Sequence, residues 1–317
     1  MIIRAFVVAI TTAGFLVAGP VGAQQLTANV VNDPSEVAFV YEDVENFIRA
    51  FGGLAEGADT ATVLQAQYLD LGSPGLVMFI EKYDLTAERL LKAIRRYPGE
   101  YAAIDEKLAA LRKSEASYRE AYADLKKVAE DSVFPPTYFL VGARRGIGSG
   151  STEGPLITIE KKSTQGIQED LAATLVHEMV HMEQLAVLGD AYFAIFSGPE
   201  RTLLATSVRE GVATLLSELV TGGSPHKNEA RAYLLEHEAE LWEQFRVVML
   251  GSDMSDWLWS DPANPEWPRD LGYAMGARIV EVYLRLADNR DEAVREILAI
   301  TDYELFLRKS GYGTQFR

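Results

Sequence analysis

The sequence predicts an α+β fold that is predominantly helical, with a small β-sheet next to one buried helix. Apolar residues recur at helical spacing from residue 36 to residue 130, and again from about residue 168 to the end. Two short β-type runs separated by a glycine-rich loop lie between these stretches. The segment after them, "LVHEMVHMEQ", places His177, Glu178 and His181 in the spacing H-E-x-x-H.

Composition limits what such a chain can be. It has 317 residues, of which 48% are hydrophobic and 24% charged, a balance typical of a globular protein with a sizeable core. The formal net charge of −16 disfavours binding to nucleic acid or to an anionic membrane surface. The chain has no cysteine, which excludes disulfides, thiolate metal sites and a cysteine nucleophile.

The first element is a predicted secretory signal peptide at residues 1–23. Arg4 precedes an apolar stretch at residues 5–19, and the small residues Val21 and Ala23 predict cleavage after Ala23. The alternative is an uncleaved membrane anchor, which is disfavoured because the apolar stretch is shorter than the ~20 residues of a membrane span. We therefore expect an exported protein, periplasmic or secreted, with no membrane span after cleavage.

Residues 24–135 form a predicted N-terminal helical region. The segment "SEVAFVYEDVENFIRAF" has a Ser–Glu helix start at residues 35–36, followed by apolar residues at helical spacing. A longer helical pattern at residues 86–130 is interrupted at Pro98 and Gly99, a pair that breaks helices. The charged positions of these helices are predicted to face solvent.

The second predicted region, residues 136–317, opens with the sheet. "PPTYFLV" is a β-type run that ends at Gly142, and "LITIE" is another. The glycine-rich stretch between them lacks the G-K-[ST] ending of a phosphate-binding loop, and Ser151 occupies the place of the third glycine in G-x-G-x-x-G. We therefore predict a flexible connection there. We expect "PLITIE" to be an edge strand that could pair with an extended substrate.

Helices return after the sheet. The H-E-x-x-H helix is predicted from about residue 168 to Gly189, and the next helix ends at Gly222, since glycine commonly stops helices. A helical pattern at residues 228–250 precedes a tryptophan- and proline-rich loop. A helix that contains Tyr273 follows, and an amphipathic segment at about residues 292–307 is the last predicted element.

The H-E-x-x-H helix has the spacing of a metal site. His177 and His181 are four residues apart and point the same way, so they can bind one ion. Glu178 lies about 100° further round the helix, where it is not a ligand but can take a proton from metal-activated water. Apolar neighbours such as Val176 and Val180 predict burial, so these polar groups need partners, and zinc would supply them. The alternative is a core helix with ordinary hydrogen bonds.

A catalytic zinc needs a third protein ligand, and Glu210 is the predicted one. On the helix after the motif, Glu210 shares a stripe with Ser207 and Thr214 at the edge of the buried face, and these hydroxyls could orient it. Gly211 would allow close approach to the zinc helix. Glu218 is the alternative ligand.

Other candidate ligands are predicted to lie away from this site. His226 is in a Gly-Ser-Pro loop and His237 is on a strongly charged helix, so both are expected at the surface. Glu183 follows His181 by two residues and therefore points to another side of the helix.

An H-E-x-x-H motif followed by a glutamate on a later helix resembles the gluzincin group of zinc peptidases. A narrower resemblance, to a bacterial family of predicted zinc-dependent proteases, covers nearly the whole mature chain. The similar segments, in chain order, are "YLDLGSPGL", "TYFLVGARRGIGSGSTEGPLITIE", "LVHEMVHMEQ", "LLATSVREGVATLLSELVTGG", "LWEQF" and "RDLGYAMGARIVEVY". The resemblance implies one zinc per chain bound by His177, His181 and Glu210, with Glu178 as catalytic base. One position departs from the thermolysin-type pattern: Thr214 stands where an aspartate is expected.

The same resemblance directs attention to "WPRDLGYAMG", because a metallopeptidase needs a donor for the oxyanion of its reaction. Tyr273, in the first turn of a helix, and Arg269 are both candidates for this donor. Their alternative roles are a core aromatic and a surface charge. Trp257, Trp259 and Trp267 either line a cleft or, as we expect, pack in the core.

Together these features predict an exported zinc metallopeptidase that hydrolyses peptide bonds in a peptide or protein substrate. Zinc would activate water, and Glu178 would act as the general base. A zincin-like catalytic domain is expected at residues 136–317, packed with the N-terminal helical region as one unit. The alternative is a non-catalytic exported binding or chaperone-like protein on a zincin scaffold.

Overall fold

The computed structural model describes residues 26, 29–54, 60–196, 198–225 and 228–316. Helices make up most of this part of the chain, and four short strands form one sheet. The predicted α+β, predominantly helical fold class is therefore confirmed. Buried apolar side chains from both predicted regions belong to one continuous core. The predicted signal peptide at residues 1–23, together with His226, lies outside the described residues.

The sheet combines parallel and antiparallel pairing. Its strands are β1 (Phe39–Val40), β2 (Thr137–Leu140), β3 (Gly148–Ser149) and β4 (Leu156–Thr158). Their order in the sheet is β1-β2-β4-β3. The first three in this order are parallel, and β3 is antiparallel to β4. Both β2 and β4 are buried along their whole length, which explains their continuous apolar sequence.

Two strand predictions are wrong. "PLITIE" does not form an edge, because β4 lies between β2 and β3, with Ile157 paired to both Phe139 and Gly148. The glycine-rich stretch is not only a flexible connection, since Gly148 and Ser149 form β3, an edge strand of the described sheet. A strand of one glycine and one serine has no alternating apolar pattern that could have predicted it.

Six described helices precede β2. They are α1 (Glu42–Gly52), α2 (Thr60–Gln67), α3 (Pro74–Tyr83), α4 (Ala87–Arg96), α5 (Pro98–Ala102) and α6 (Ile104–Val128). The predicted break at Pro98 is confirmed, because α4 ends before it and the proline begins α5. The predicted helix start at residues 35–36 is wrong. Residues 34–36 form a 3₁₀ turn capped by Asp33, and β1 intervenes before α1.

Eight described helices follow β4. They are α7 (Thr164–Glu169), α8 (Leu171–Leu188), α9 (Leu203–Thr221), α10 (Asn228–Glu236), α11 (Glu238–Val248), α12 (Leu271–Leu286), α13 (Arg290–Leu298) and α14 (Tyr303–Ser310). The predicted helix ends at Gly189 and Gly222 are confirmed as C-caps of α8 and α9. The last predicted segment is two helices, because Asp302 caps a new start by accepting a hydrogen bond from the Leu305 amide.

Three long helices pack against one another near the motif: α9 contacts α8 on one side and α12 on another. At the crossing of α9 and α12, a Cβ on Gly211 would lie 2.1 Å from the carbonyl carbon of Gly276. A Cβ on Gly276 would lie 1.7 Å from the backbone oxygen of Ser207. Only glycine allows this approach. Gly211 therefore serves the contact with α12, and the prediction that it faces the zinc helix is wrong.

The predicted division of the chain stays a prediction, although β1, from before residue 136, pairs with β2 after it. None of the described helices combines the length and apolarity that crossing a membrane requires.

Candidate metal centre

The core helix α8 presents the H-E-x-x-H residues. His177, Glu178 and His181 are 4%, 7% and 6% exposed. Apolar residues such as Val176 and Met179 fill the neighbouring positions and are fully buried. Because α8 is buried nearly all round, its polar side chains must find partners inside the protein.

Glu210 on α9 completes a cluster with the two histidines. Its Oε2 lies 3.1 Å from Nε2 of His181 and 3.3 Å from Nε2 of His177. One potential ligand atom from each of the three residues lies within 4.8 Å of the others. The Thr202 side chain caps the start of α9, the helix that carries Glu210, by accepting from the Ala205 amide. The three predicted ligands therefore come together as a group that could hold a metal ion.

The chemistry of this donor set fits zinc. Two imidazole nitrogens and one carboxylate are the protein ligands of one class of catalytic zinc sites, which keep a further position open for water or substrate. The Glu210 side chain is 15% exposed, so the cluster borders accessible space on that side.

Electrostatic attraction holds the residues of the cluster together. Burial opposes ionisation of Glu210, but the charge of His181 and the hydrogen bonds from both histidines hold the pKa of this carboxyl well below its ordinary value. Burial also works against a charged His181, but Glu210 outweighs it and raises the pKa of this imidazole. The cluster therefore favours positive charge at the histidines next to Glu210.

Glu178 lies beside the cluster and against β3. A Cβ at Gly148 would lie 2.3 Å from Oε1 of Glu178 and 2.8 Å from its Cδ. Only a glycine at this position therefore allows β3 to lie so close to Glu178. Burial raises the pKa of Glu178, while the charges of His177, His181 and Lys82 act in the opposite direction. This position suits the predicted role of a base next to the metal, and the role itself stays a prediction.

Lys82 is a residue near the site that sequence reasoning missed. From the end of α3, its Nζ donates to the backbone oxygen of Gly150 at 3.1 Å and to Oγ of Ser149. Its positive charge also interacts with Glu178 and Glu210. Lys82 therefore connects the N-terminal helices to β3 and to the cluster, and nothing in its local sequence could have indicated this.

Gln184 is the second missed residue. Its Oε1 lies 2.8 Å from Nδ1 of His181, and its Nε2 donates to the backbone oxygen of Arg209 at 3.3 Å. The spacing of three residues from His181 on one helix was a signal that could have found it. Ser207 and Thr214, which were predicted to orient Glu210, do not do so: in the described part of the chain neither buried hydroxyl has a hydrogen-bond partner.

The first turn of α12 brings Tyr273 to His177. Its ring centroid lies 6.2 Å from that of His177, and its hydroxyl accepts a hydrogen bond from Nε1 of Trp259 at 2.7 Å. Arg269 is exposed, and its guanidinium pairs with Asp261 at 3.3 Å and donates to the backbone oxygen of Trp259. The geometry thus favours Tyr273 over Arg269 as a donor near the cluster, and this function stays a prediction.

The tryptophans of the preceding loop divide into two groups. Trp257 is buried and packs edge-on against Phe245 and Trp267, as expected for a core residue. Trp259 is 50% exposed and bonded to Tyr273, so it lies where it could border the site.

The rejected ligand candidates have other contacts. Glu218 lies 3.6 Å from Arg231, and His237 packs against the ring of Tyr233 with centroids 4.3 Å apart. Glu183 accepts a hydrogen bond from the Val133 amide at 2.8 Å. It lines a cavity of about 570 Å³ away from the cluster.

Comparison of the chain with protein-family models, with curated proteins and with solved structures found no match. The functional interpretation therefore depends on the residues and geometry of the cluster.

Proposed function

We propose that the protein is a zinc-dependent metallopeptidase of the gluzincin type that hydrolyses peptide bonds. The observation that carries the proposal is the convergence of His177, His181 and Glu210 from two helices, with Glu178 beside them. His177 and His181 would bind zinc through Nε2, and Glu210 through its carboxylate. When bound, zinc activates a water molecule as a nucleophile and polarises the substrate carbonyl.

The protein's own residues would then move the proton and stabilise charge. Glu178 accepts a proton from the attacking water and returns it to the leaving amine as the peptide bond breaks. Its buried position against Gly148 keeps the carboxylate in place for both transfers. Tyr273 donates from its hydroxyl to the carbonyl oxygen as negative charge develops there. The hydroxyl accepts the hydrogen bond from Trp259 through a lone pair, so its O–H group would act as the donor to the substrate.

The position of β3 supports a peptide as the substrate. β3 is an edge strand of the described sheet, and it lies against Glu178. An extended peptide can add to such an edge through backbone hydrogen bonds, which places its carbonyl groups next to the site. We also propose that the protein is exported, on the basis of the signal-peptide pattern at residues 1–23.

The test is zinc-dependent cleavage of a mixed peptide library, followed by mass spectrometry. The wild-type protein should cleave peptides after zinc loading, and chelation should abolish this activity. Glu178→Gln should retain zinc and lose cleavage, because Glu178 is not a ligand. Glu183→Gln, which changes a carboxylate on another side of α8, is the matched control and should cleave normally.

Two results would contradict the proposal. Cleavage that survives Glu178→Gln would exclude this carboxylate as the base. Stoichiometric zinc with no cleavage of any peptide would instead support the non-catalytic binding protein.

A further inference from the structure

The two ring nitrogens of His181 face different partners. Nε2 points to Glu210 within the cluster, at 3.1 Å. Nδ1 lies 2.8 Å from Oε1 of Gln184, one turn further along α8. Only Nε2 can therefore serve the metal, and its lone pair is available only if the proton of the neutral imidazole is on Nδ1.

The orientation of the Gln184 amide determines where that proton is. Its nitrogen can only donate, and the backbone oxygen of Arg209 can only accept, so the contact of 3.3 Å between them requires Nε2 on the Arg209 side. The opposite orientation would place two acceptors against each other. Oε1 therefore faces His181 and accepts from Nδ1.

The Arg209 carbonyl is itself held in place. The Arg209 side chain is 2% exposed, and its guanidinium donates to the backbone oxygen of Tyr192 and, at 3.2 Å, to the hydroxyl of Tyr303. It also lies over the Tyr192 ring at 4.3 Å. Arg209 directly precedes Glu210, so the hydrogen bonds of Gln184 connect the two helices that supply the three cluster residues.

We infer that Gln184 is a positioning residue for the metal site, which fixes the His181 ring with the proton on Nδ1 and Nε2 directed to the ion. This inference rests on the proposed metal centre. Thr214, at the position where the thermolysin-type pattern has an aspartate, has no hydrogen-bond partner in the described part of the chain. Gln184 supplies an orienting contact from the ligand helix itself.

The test compares the zinc affinities of three proteins by competition with a chelating indicator. Gln184→Met keeps the length of the side chain but cannot accept, so it should weaken zinc binding by roughly 10–100-fold. Gln184→Glu keeps an acceptor for Nδ1 but places a second acceptor against the Arg209 carbonyl, so its zinc affinity should fall less than that of Gln184→Met. Partial rescue by Gln184→Glu distinguishes positioning of His181 from a general packing role, because glutamate cannot donate to the Arg209 carbonyl.

A measurement on the wild-type protein covers the case in which a variant does not fold. Nitrogen-15 NMR of histidine side chains in the zinc-loaded protein should show His181 with a protonated Nδ1 and an unprotonated Nε2. An unprotonated Nδ1, or zinc affinity of Gln184→Met within threefold of wild type, would overturn the inference. A wild-type protein that binds no zinc would instead refute the proposed metal centre itself.

Discussion

Gly148 approaches Glu178 so closely that any side chain at position 148 would occupy the space of the carboxylate. The contact joins the edge strand of the sheet to the residue proposed as the general base. Gly150, on the same segment, also lies close to α8, where a Cβ would lie 2.6 Å from the terminal methyl of Met182. The geometry of the proposed site thus depends on a segment that contains none of its ligands.

The first prediction follows from this contact. Gly148→Ala should displace the Glu178 carboxylate and lower kcat/KM by about 10²-fold, the scale expected when a catalytic group moves by ~1 Å. Zinc affinity should stay near wild type, because the substitution does not touch the ligands. Steady-state kinetics and zinc titration check this, with Gly99→Ala as control, since a Cβ there meets nothing within 4 Å. Undiminished cleavage by Gly148→Ala would refute the importance of the contact.

The second prediction concerns the crossing of α9 and α12. Gly276→Ala would place a Cβ 1.7 Å from the Ser207 backbone oxygen, so the helices must separate. The free energy of unfolding should fall by about 1–3 kcal/mol or more, the usual cost of overpacking. Denaturant unfolding measures this change. Gly52→Ala, where a Cβ has open space, should not destabilise the protein. Equal stability of Gly276→Ala and wild type would contradict the packing described above.

The third prediction concerns Glu183. Burial raises its pKa from 4.5 to about 8, so the folded protein holds this proton more tightly than the unfolded chain does. The resulting stability is fully present below pH 4.5 and is lost progressively as the pH rises to about 8. Glu183→Gln removes this titrating carboxyl. The free energy of unfolding of the variant, relative to that of the wild type, should therefore increase from pH 4.5 to about pH 8 and then level off.

Urea unfolding at a series of pH values measures the Glu183 effect. A difference between Glu183→Gln and wild type that does not change from pH 5 to pH 8 would show that Glu183 does not titrate as proposed.

The fourth prediction tests Tyr273. Tyr273→Phe removes the hydroxyl but keeps the ring that lies beside His177. If the hydroxyl stabilises charge that develops only in the transition state, kcat should fall by about 10²–10³ with little change in KM. Zinc content should not change. A kcat within a few-fold of wild type would exclude this role.

Local patterns predicted the long helices and the three residues of the cluster well. His177 and His181 are four residues apart on one helix, so their convergence follows from helix geometry alone. Glu210 was predicted because its stripe of small hydroxyl residues marks the edge of a buried face, and the structure places it against both histidines. The helix ends at Gly189 and Gly222 were also predictable from the sequence, because glycine adopts the backbone conformations that end helices.

Features that depend on contacts between distant segments could not be predicted in this way. β1 and β3 are two residues long, too short for a period-2 pattern, and they exist because neighbouring strands pair with them. The sequence predicts that Gly211 faces α8, but it contacts α12. A glycine in a helix indicates that another backbone lies close to it, but not which one. Lys82 reaches the site from a helix of the N-terminal region, and only the tertiary fold reveals this.

The central claim is that α8 and α9 together form a zinc site through His177, His181 and Glu210. Elemental analysis of protein purified without chelator and loaded with zinc tests it most directly. We predict about one zinc per chain in the wild-type protein and in Glu218→Gln, whose carboxylate pairs with Arg231 instead. We predict loss of stoichiometric zinc in His177→Ala and in Glu210→Gln. A wild-type protein without zinc, or a Glu210→Gln variant that keeps it while Glu218→Gln loses it, would contradict the account.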